Sequence, residues 1–405
     1  MSMKAKILVS ALLAIAMLVP GGLFLSANAS VNQSLMGTPT HTCGFQNAAS
    51  ADTLGDPGDG EELFTLPTRL RAKLLAPACQ ALASLVPPCT STANQPAGRV
   101  SPRPPRADPA TITVLHAGMV RNLVNSGLVP AVKECDDVTL NATRGNSVAL
   151  ANGIKDGTLT GDLFMSADAA VNQTLMGASN SNWVDWFMVF ARNEVVLAYS
   201  PNSQSTAQFE QARDGQIPWY EVLEQPGVTL GRDDPNLDPL GYYGVFVGQL
   251  AEQFYQLPGL KQRILGDDNN PEQVIAPTAD QLKNGTLDAA FMYINRAKDD
   301  GVPFVRLPDQ INLSNPDFTS EYATASYTTN LGQTFRGAPI QVSIAPLRNG
   351  NQQAAAETIE LLTSARGSEL LNSFGFLPSP ILVGGNINAI PIQLMCRIEG
   401  TYTTP

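Results

Sequence analysis

The segment from Gly231 to Tyr242 holds the residues whose types and order best suit binding chemistry. Within it, Asp238 followed by Pro239 predicts the start of a helix, because aspartate accepts a hydrogen bond at the cap and proline suits the first helical position. The first backbone N–H groups of a helix are unpaired and carry a partial positive charge. The segment therefore predicts an anion site at a helix N-terminus, and the alternative is an ordinary capped surface helix.

Apolar residues at helical spacing follow this start and predict a helix over residues 241–256. They are Tyr243, Phe246, Val247, Leu250, Ala251 and Phe254. Pro258 and Gly259 end the run. The helix would hold its first turn, and with it any bound anion, against an apolar core.

Around this helix, short apolar runs typical of strands alternate with segments of helical periodicity from Ala110 onward. The predicted strands cover 111–115, 162–166, 184–190, 194–199, 228–230, 288–293, 305–307 and 340–345. The other predicted helices cover 147–154, 206–213, 278–284, 352–363 and 367–374. This alternation predicts parallel α/β sheets with helices on both faces. A stretch of about 270 residues is too long for one core and predicts two lobes.

Two extended stretches, 194–199 and 340–345, would carry the chain between the lobes. Ligands of such sheets bind beyond the strand C-termini, and the lobes close on them by hinge motion. The predicted segments are a signal peptide at 1–29, a Pro/Ala-rich low-order extension at 30–110, lobe 1 at 111–195 and 340–380, lobe 2 at 196–339, and a C-terminal tail at 381–405.

The first 29 residues have the pattern of a secretory signal peptide. Lys4 and Lys6 precede an apolar run from residue 7 to residue 19, and small residues lead to a cleavage site after Ala29. We therefore expect an exported protein, periplasmic or extracellular. An uncleaved N-terminal anchor is the alternative, although the run is short for a membrane span.

Charge and histidine content exclude several classes of partner and chemistry. The sequence has 36 acidic and 25 basic residues, and loss of residues 1–29 would remove two of the basic ones. An acidic surface argues against nucleic acid and anionic lipid as partners. The two histidines, His41 and His116, argue against a histidine-built metal site. We expect no cofactor and no free metal cation.

Five cysteines are an odd number for an exported chain. Cys79 and Cys89 could close a small loop, with Cys43 competing for either. Cys135 and Cys396 could pair across the fold. The connectivity stays open, and any disulfide is expected to be structural.

Several motifs, taken together with their order, resemble the substrate-binding proteins of tungstate/molybdate ABC transporters. The matching segments are 116–118, 147–154, 162–168, 186–192, 197–201, 231–242, 307–314 and 322–327. Asp-Pro-x-Gly-Tyr at 238–242 and Leu-Pro-x-x-Ile-Asn-Leu at 307–313 are the most specific. The resemblance covers roughly residues 111–380 and implies the type II periplasmic binding-protein fold, with two Rossmann-like lobes joined by a two-strand hinge.

The resemblance also implies a set of ligand-contacting positions. They are Gly118, Met119, Asn146, Ser147, Asp238, Gly241, Tyr242 and Met292. Met119 stands where the family has serine, Asn146 where it has glycine, and Met292 where it has a carboxylate. The resemblance also implies that two carboxylates bind the tungsten or molybdenum centre directly in some family members. Of these two carboxylates, the chain keeps Asp238. A lost hydrogen bond to a charged ligand costs about 1.5–3 kcal/mol, so affinity or selectivity is expected to differ from the family.

The function expected from these features is capture of a small oxyanion, tungstate or molybdate first, by a monomer that delivers it to the membrane subunits of an ABC permease. A secreted hydrolase or transferase is a second possibility, but the sequence shows no paired nucleophile and general base. A third is a degenerate binding-protein scaffold with an altered ligand or an adhesion or sensing role, which the changes at Met119 and Met292 would suit.

Overall fold

The computed structural model describes residues 109–266 and 276–404. The predicted signal peptide, nearly all of the predicted extension, and Cys43, Cys79 and Cys89 lie outside these described residues. Cys135 and Cys396 lie within them, and both are disulfide-bonded. Among the described residues, no helix combines the length and the apolar character needed to cross a membrane.

The described chain contains strands that group into two main sheets and one short strand pair. The strands are β1 (Ala110–Ala117), β2 (Val138–Gly145), β3 (Leu163–Ser166), β4 (Trp186–Arg192), β5 (Val195–Tyr199), β6 (Leu230–Gly231), β7 (Ala289–Tyr293), β8 (Phe304–Arg306), β9 (Ser326–Thr328), β10 (Thr334–Arg336), β11 (Gln341–Pro346), β12 (Leu382–Gly385) and β13 (Gly400–Thr401).

Helices connect and cover these strands. They are α1 (Val129–Asp136), α2 (Ser147–Lys155), α3 (Ala169–Gln173), α4 (Thr206–Arg213), α5 (Trp219–Leu223), α6 (Pro239–Phe254), α7 (Leu260–Leu265), α8 (Ala279–Asn284), α9 (Ile294–Asp299), α10 (Thr319–Tyr322), α11 (Gln352–Leu362), α12 (Ala365–Ser373) and α13 (Ile392–Met395). A 3₁₀ turn at Gly118–Val120 and a π-helical segment at Leu123–Leu128 follow β1.

The first sheet has the order β13-β12-β4-β11-β3-β1-β2 and forms lobe 1 with its helices. β1 runs parallel to β2 and β3, whereas β11 is antiparallel to both β3 and β4. Every residue of β3 is buried, as expected of a central strand covered on both faces. The sheet is therefore mixed, not parallel as expected, because β11 is antiparallel to β3 and β4, and β12 is antiparallel to β4.

The second sheet has the order β6-β7-β5-β8 and forms lobe 2. β5 is antiparallel to β7 and β8, and β6 is parallel to β7. β9 and β10 form a separate antiparallel pair. Helix α6 is buried along most of its length, which explains why its sequence is apolar on more than one face.

Two segments connect the lobes. Asn193 and Glu194 lead from β4 to β5, and residues 337–340 lead from β10 to β11. The two segments are joined where the Asn193 N–H donates to the Ile340 carbonyl over 3.3 Å. The predicted fold, two α/β lobes joined by a two-strand hinge, is confirmed.

The structure differs from the sequence-based expectations at two places in lobe 1. Strand β2 was not predicted, because it is an edge strand whose residues after Leu140 are mostly polar and exposed. The segment expected to be a C-terminal tail instead adds β12 and β13 to the sheet, with β12 antiparallel to β4. The tail prediction is corrected accordingly: at least these residues are part of the first sheet.

Candidate functional site

A cavity of about 580 Å³ lies between the two lobes. From lobe 1 it is lined by Gly118, Met119, Arg121, Arg144, Gly145 and Asn146. From lobe 2 its lining includes Asp233, Asp238, Lys283, Met292, Tyr293 and Arg296. Five of the eight positions implied by the resemblance therefore face one space, although they come from distant parts of the chain.

The lobe 1 wall begins directly after β1. Gly118 lies on the cavity surface, and a Cβ added there would meet no atom within 4 Å, so its backbone can be approached closely. Met119 is buried beside it, and its Sδ accepts a hydrogen bond from Asn193 Nδ2 over 3.0 Å. Asn146 precedes α2, and its side chain makes no capping hydrogen bond. Its amide is thus available to the cavity.

The lobe 2 wall is built around the start of α6. Asp238 caps this helix, and its Oδ1 accepts a hydrogen bond from the Leu240 N–H over 2.9 Å. The helix start expected to attract an anion therefore already holds a carboxylate of its own. Met292 is the last but one residue of β7 and lines the cavity, and its thioether offers no hydrogen-bond donor.

Three predicted contact residues do not line the cavity. Ser147 is fully buried, and its Oγ accepts a hydrogen bond from the Ala167 N–H over 3.1 Å. The Tyr242 hydroxyl donates to Asp168 Oδ2 over 2.6 Å. Gly241 lies against the preceding turn, where an added Cβ would be 2.5 Å from the Asp234 carbonyl carbon. The hydroxyls of Ser147 and Tyr242 have partners inside the protein, and Gly241 is packed against a turn. These contacts explain why none of the three lines the cavity.

The start of α2 contacts lobe 2 through the backbone. The N–H groups of Val148 and Ala149 both donate to the Leu237 carbonyl, over 3.1 and 3.2 Å. A carbonyl from the other lobe thus occupies two of the donors that a helix N-terminus usually leaves free. The lobes are in direct contact at this point.

Asp233 was not among the predicted contacts and was expected to lie in a solvated turn with Asp234. It lies on the cavity surface, and burial together with the negative charge of Asp238 raises its pKa well above the usual aspartate range. Burial also raises the pKa of Asp238 to about 6, and the Leu240 N–H opposes this rise. The sequence signal that could have revealed Asp233 is its place five residues before Asp238 in the same motif.

Four cationic side chains also line the cavity, and sequence reasoning did not single out any of them. Arg121 and Arg296 are both paired with Asp300, over 3.2 and 2.5 Å. Arg144 and Lys283 are exposed, and within the described ranges their side chains have no ion-pair partner. These two charges can attract an entering anion.

His116 lies in β1, next to the lobe 1 wall of the cavity, and is fully buried. Its Nδ1 is 2.9 Å from the Ala117 carbonyl, to which it can donate a hydrogen bond. Burial lowers the pKa of His116. In the described part of the chain, no group of three His, Cys, Asp or Glu residues is placed to hold a metal ion. The cavity thus combines hydrogen-bond donors, two cations without an ion-pair partner in the described ranges, and two carboxyl groups of raised pKa.

Two proteins named for binding molybdenum, molybdate or tungstate are similar in sequence to this chain. A protein of Haloferax volcanii, provisionally named as an ABC transporter molybdenum-binding protein, is 33% identical over 268 residues, covering 66% of this chain and 81% of the relative. The molybdate/tungstate-binding protein WtpA of Pyrococcus abyssi is 28% identical over 320 residues, covering 72% of this chain and 90% of the relative.

Solved structures show similarity to the same region. The sulfate-binding protein SubI of Mycobacterium tuberculosis aligns with a TM-score of 0.46 at 15% identity, covering 66% of this chain and 87% of its own. The periplasmic molybdate-binding protein of Azotobacter vinelandii aligns with a TM-score of 0.44 at 14% identity, covering 66% and 99%. The family of bacterial extracellular solute-binding proteins matches residues 112–377, and the chain belongs to that family.

Proposed function

We propose that the chain captures a small oxyanion, molybdate or tungstate, in the cavity between its lobes and delivers it to the membrane subunits of an ABC permease. The observation that carries this proposal is the shared cavity itself: residues from both lobes, among them Gly118, Asn146 and Asp238, line one space. Relatives at 28–33% identity are named for binding molybdenum, molybdate or tungstate, which supports the same ligand class.

The cavity offers an oxyanion directed donors and positive charge. The backbone at Gly118 is open to close approach, and the Asn146 amide supplies two N–H donors. Arg144 and Lys283 provide positive charge, and among the described residues no ion-pair partner competes for it. Raised pKa values of Asp233 and Asp238 reduce the negative charge that a dianion would meet near and below pH 6.

Two methionines distinguish this cavity from the family pattern. Met119 donates no hydroxyl hydrogen bond, and its thioether already accepts one from Asn193. Met292 supplies no carboxylate, so coordination expansion by two carboxylates would have Asp238 alone from the family set. We therefore expect weaker oxyanion binding than a serine and a carboxylate at these positions would give, by about one to two decades.

The remaining features follow from the same proposal. The chain would be exported with cleavage after Ala29, act as a monomer, catalyse no reaction and need no cofactor. Hinge closure about the 193–194 and 337–340 connections would trap the ligand.

The test is a thermal-shift screen of residues 30–405 against tungstate, molybdate, sulfate, phosphate and thiosulfate, followed by calorimetry on each hit. We expect tungstate and molybdate to raise the unfolding midpoint, because a ligand that binds only the folded state stabilises it. A Gly118→Leu variant should lose the shift, since its side chain would enter the cavity at a position with no neighbour within 4 Å. No shift with any anion would refute the proposal.

A further inference from the structure

Two buried asparagines, Asn193 and Asn295, join a wall of the cavity to the hinge. Asn193 belongs to the connection from β4 to β5, and Asn295 lies in the first turn of α9 in lobe 2. Asn193 Nδ2 donates to Asn295 Oδ1 over 2.9 Å, and Asn295 Nδ2 donates to the Met119 carbonyl over 3.1 Å. Met119 belongs to the turn at 118–120 that follows β1 and lines the cavity.

Each nitrogen and oxygen atom of these two side-chain amides has a hydrogen-bond partner inside the protein. Asn193 Oδ1 accepts from the Glu194 N–H over 3.0 Å, and Asn193 Nδ2 also donates to Met119 Sδ over 3.0 Å. A carbonyl can only accept, so the Met119 carbonyl determines which end of the Asn295 amide faces it. A buried network that is fully bonded favours one arrangement of its members. The network therefore holds the Met119 peptide group in a defined position relative to the hinge.

Helix α9 contacts the same lobe 1 segment at a second place. Asn122 Nδ2 donates to Asp299 Oδ2 over 3.0 Å. Asn295 and Asp299 are four residues apart and lie on the same side of α9. Lobe 2 thus holds both ends of the segment 119–122. The Asn122 contact is exposed to water and the Asn295 contact is buried, so the Asn295 contact is the stronger of the two.

The other end of the network is the hinge itself. The Asn193 N–H donates to the Ile340 carbonyl of the second connection, while its side chain bonds Met119 and Asn295. Hinge closure changes the backbone angles of the connecting residues. A change at Asn193 therefore reaches the turn at 118–120 directly through side-chain hydrogen bonds.

We propose that Asn295 is a positioning residue for the ligand: it holds the turn at 118–120 in the place that the closed hinge requires, and thereby raises oxyanion affinity without touching the oxyanion. The inference rests on the proposed function, because it treats this turn as a ligand-binding wall. Gly118 and Met119 line the cavity, whereas Asn295 and Asn193 are not among its lining residues. The effect of Asn295 on the ligand therefore passes through the turn.

The decisive variant is Asn295→Ala, which removes the amide that bonds the Met119 carbonyl. We expect its dissociation constant for tungstate, measured by calorimetry well below the unfolding midpoint, to rise about threefold to tenfold. Asn172→Ala is the matched control, because Asn172 is also buried and its Nδ2 bonds Ser343 Oγ over 2.7 Å within lobe 1, away from the cavity. The control should lower the unfolding midpoint but leave the dissociation constant unchanged.

A second variant serves if the alanine variant does not fold. Asn295→Ser keeps a polar group in the buried site, but its hydroxyl ends one bond short of the nitrogen that bonds the Met119 carbonyl. We expect the same direction of change in the dissociation constant for tungstate.

A double-mutant cycle tests whether Asn295 acts through the turn. Gly118→Ala alters the same turn from the cavity side. If both residues act on one structure, the double variant should raise the dissociation constant less than the product of the two single effects, by at least about twofold. A general loss of stability would give independent effects that multiply.

The outcomes separate this inference from the proposed function. If the wild-type protein binds tungstate or molybdate and the Asn295 variants bind equally well, the inference is wrong and the proposed function stands. Independent effects in the cycle, or an equal effect of Asn172→Ala, also overturn the inference alone. If the wild-type protein binds neither anion, both are wrong.

Discussion

The Tyr242 hydroxyl, on the first turn of α6 in lobe 2, donates a 2.6 Å hydrogen bond to Asp168 Oδ2 in lobe 1. Asp168 caps α3 directly after β3, so the bond joins the strand ends of one lobe to the helix start of the other. Both side chains are buried. The resemblance implied that Tyr242 contacts ligand, whereas here its hydroxyl holds the two lobes together beside the cavity.

Removal of this hydroxyl should favour a more open arrangement of the lobes. A hydrogen bond to a charged group contributes about 1.5–3 kcal/mol, so Tyr242→Phe is expected to lower the unfolding midpoint by several degrees and increase the radius of gyration. Small-angle scattering and thermal denaturation measure the two effects. Tyr255→Phe is the control, because its bond to Trp219 lies within lobe 2 and should leave the scattering unchanged.

The outcome for Tyr242→Phe also tests how Asp168 is stabilised. Burial raises the pKa of Asp168, and the Tyr242 hydroxyl opposes that rise. The variant should therefore lose more stability at neutral pH, where the carboxylate is charged, than at acidic pH. Equal losses at both pH values would contradict a bond to the charged form.

Oxyanion binding should weaken as pH rises. The pKa of Asp238 is about 6 in the unliganded protein, and a neighbouring anion would raise it further, so binding takes up a proton. Affinity should fall by up to about tenfold per pH unit above pH 6. Calorimetry in two buffers of different ionisation enthalpy measures the proton count, and Asp238→Asn should reduce the pH dependence. If the affinity does not change between about pH 6 and pH 8, binding is not linked to protonation of Asp238.

The same raised pKa determines how the stability of the unliganded protein depends on pH. The folded-state pKa of Asp238 lies above its unfolded value of about 3.9, so protonation favours the folded state. Stability from this group is therefore present at acidic pH and is lost as pH rises from about 4 to about 6. Oxyanion affinity and the stability of the unliganded protein are therefore both expected to fall as pH rises.

Local sequence patterns were sufficient for the elements whose formation depends on neighbouring residues. The helix α4 has the predicted bounds, and α6 begins at the predicted cap, because spacing and capping act within a few turns. Strand β2 was missed, since its polar exposed half has no alternation to detect. β2 forms because it pairs with β1, and this pairing cannot be detected from the sequence of β2 alone.

Local sequence patterns were also insufficient to predict the contacts of several site residues. The hydroxyls of Ser147 and Tyr242 could not be assigned from the sequence, because their partners lie 20 and 74 residues away in the chain. Asp233 looked like part of a surface turn, and its burial depends on how that turn packs over the start of α6. Asn295 follows a predicted strand, but its bond to the Met119 carbonyl spans 176 residues and is visible only in three dimensions.

Arg144 should act mainly on the rate of ligand capture. It is the last but one residue of β2, lines the cavity, is exposed, and has no ion-pair partner within the described ranges. Arg144→Gln is expected to lower the association rate constant for tungstate severalfold at low ionic strength, with a smaller difference at high salt. Stopped-flow kinetics measures this, with Arg366→Gln on α12 as a control of equal charge change away from the cavity. Equal association rates for the two variants would exclude the steering role.

Substitution by alanine should affect stability at Gly241 and ligand binding at Gly118. At Gly241 an added Cβ would lie 2.5 Å from the backbone of Asp234 and Pro235, so Gly241→Ala should destabilise the protein by about 1–3 kcal/mol through displacement of that turn. At Gly118 a Cβ would meet nothing within 4 Å, so Gly118→Ala should leave the unliganded midpoint nearly unchanged. Its methyl group would instead enter the cavity and weaken tungstate binding, because the ligand could no longer approach the backbone closely. Denaturant unfolding and calorimetry on both variants separate the two effects, and a Gly118→Ala protein that binds like wild type would place the ligand elsewhere in the cavity.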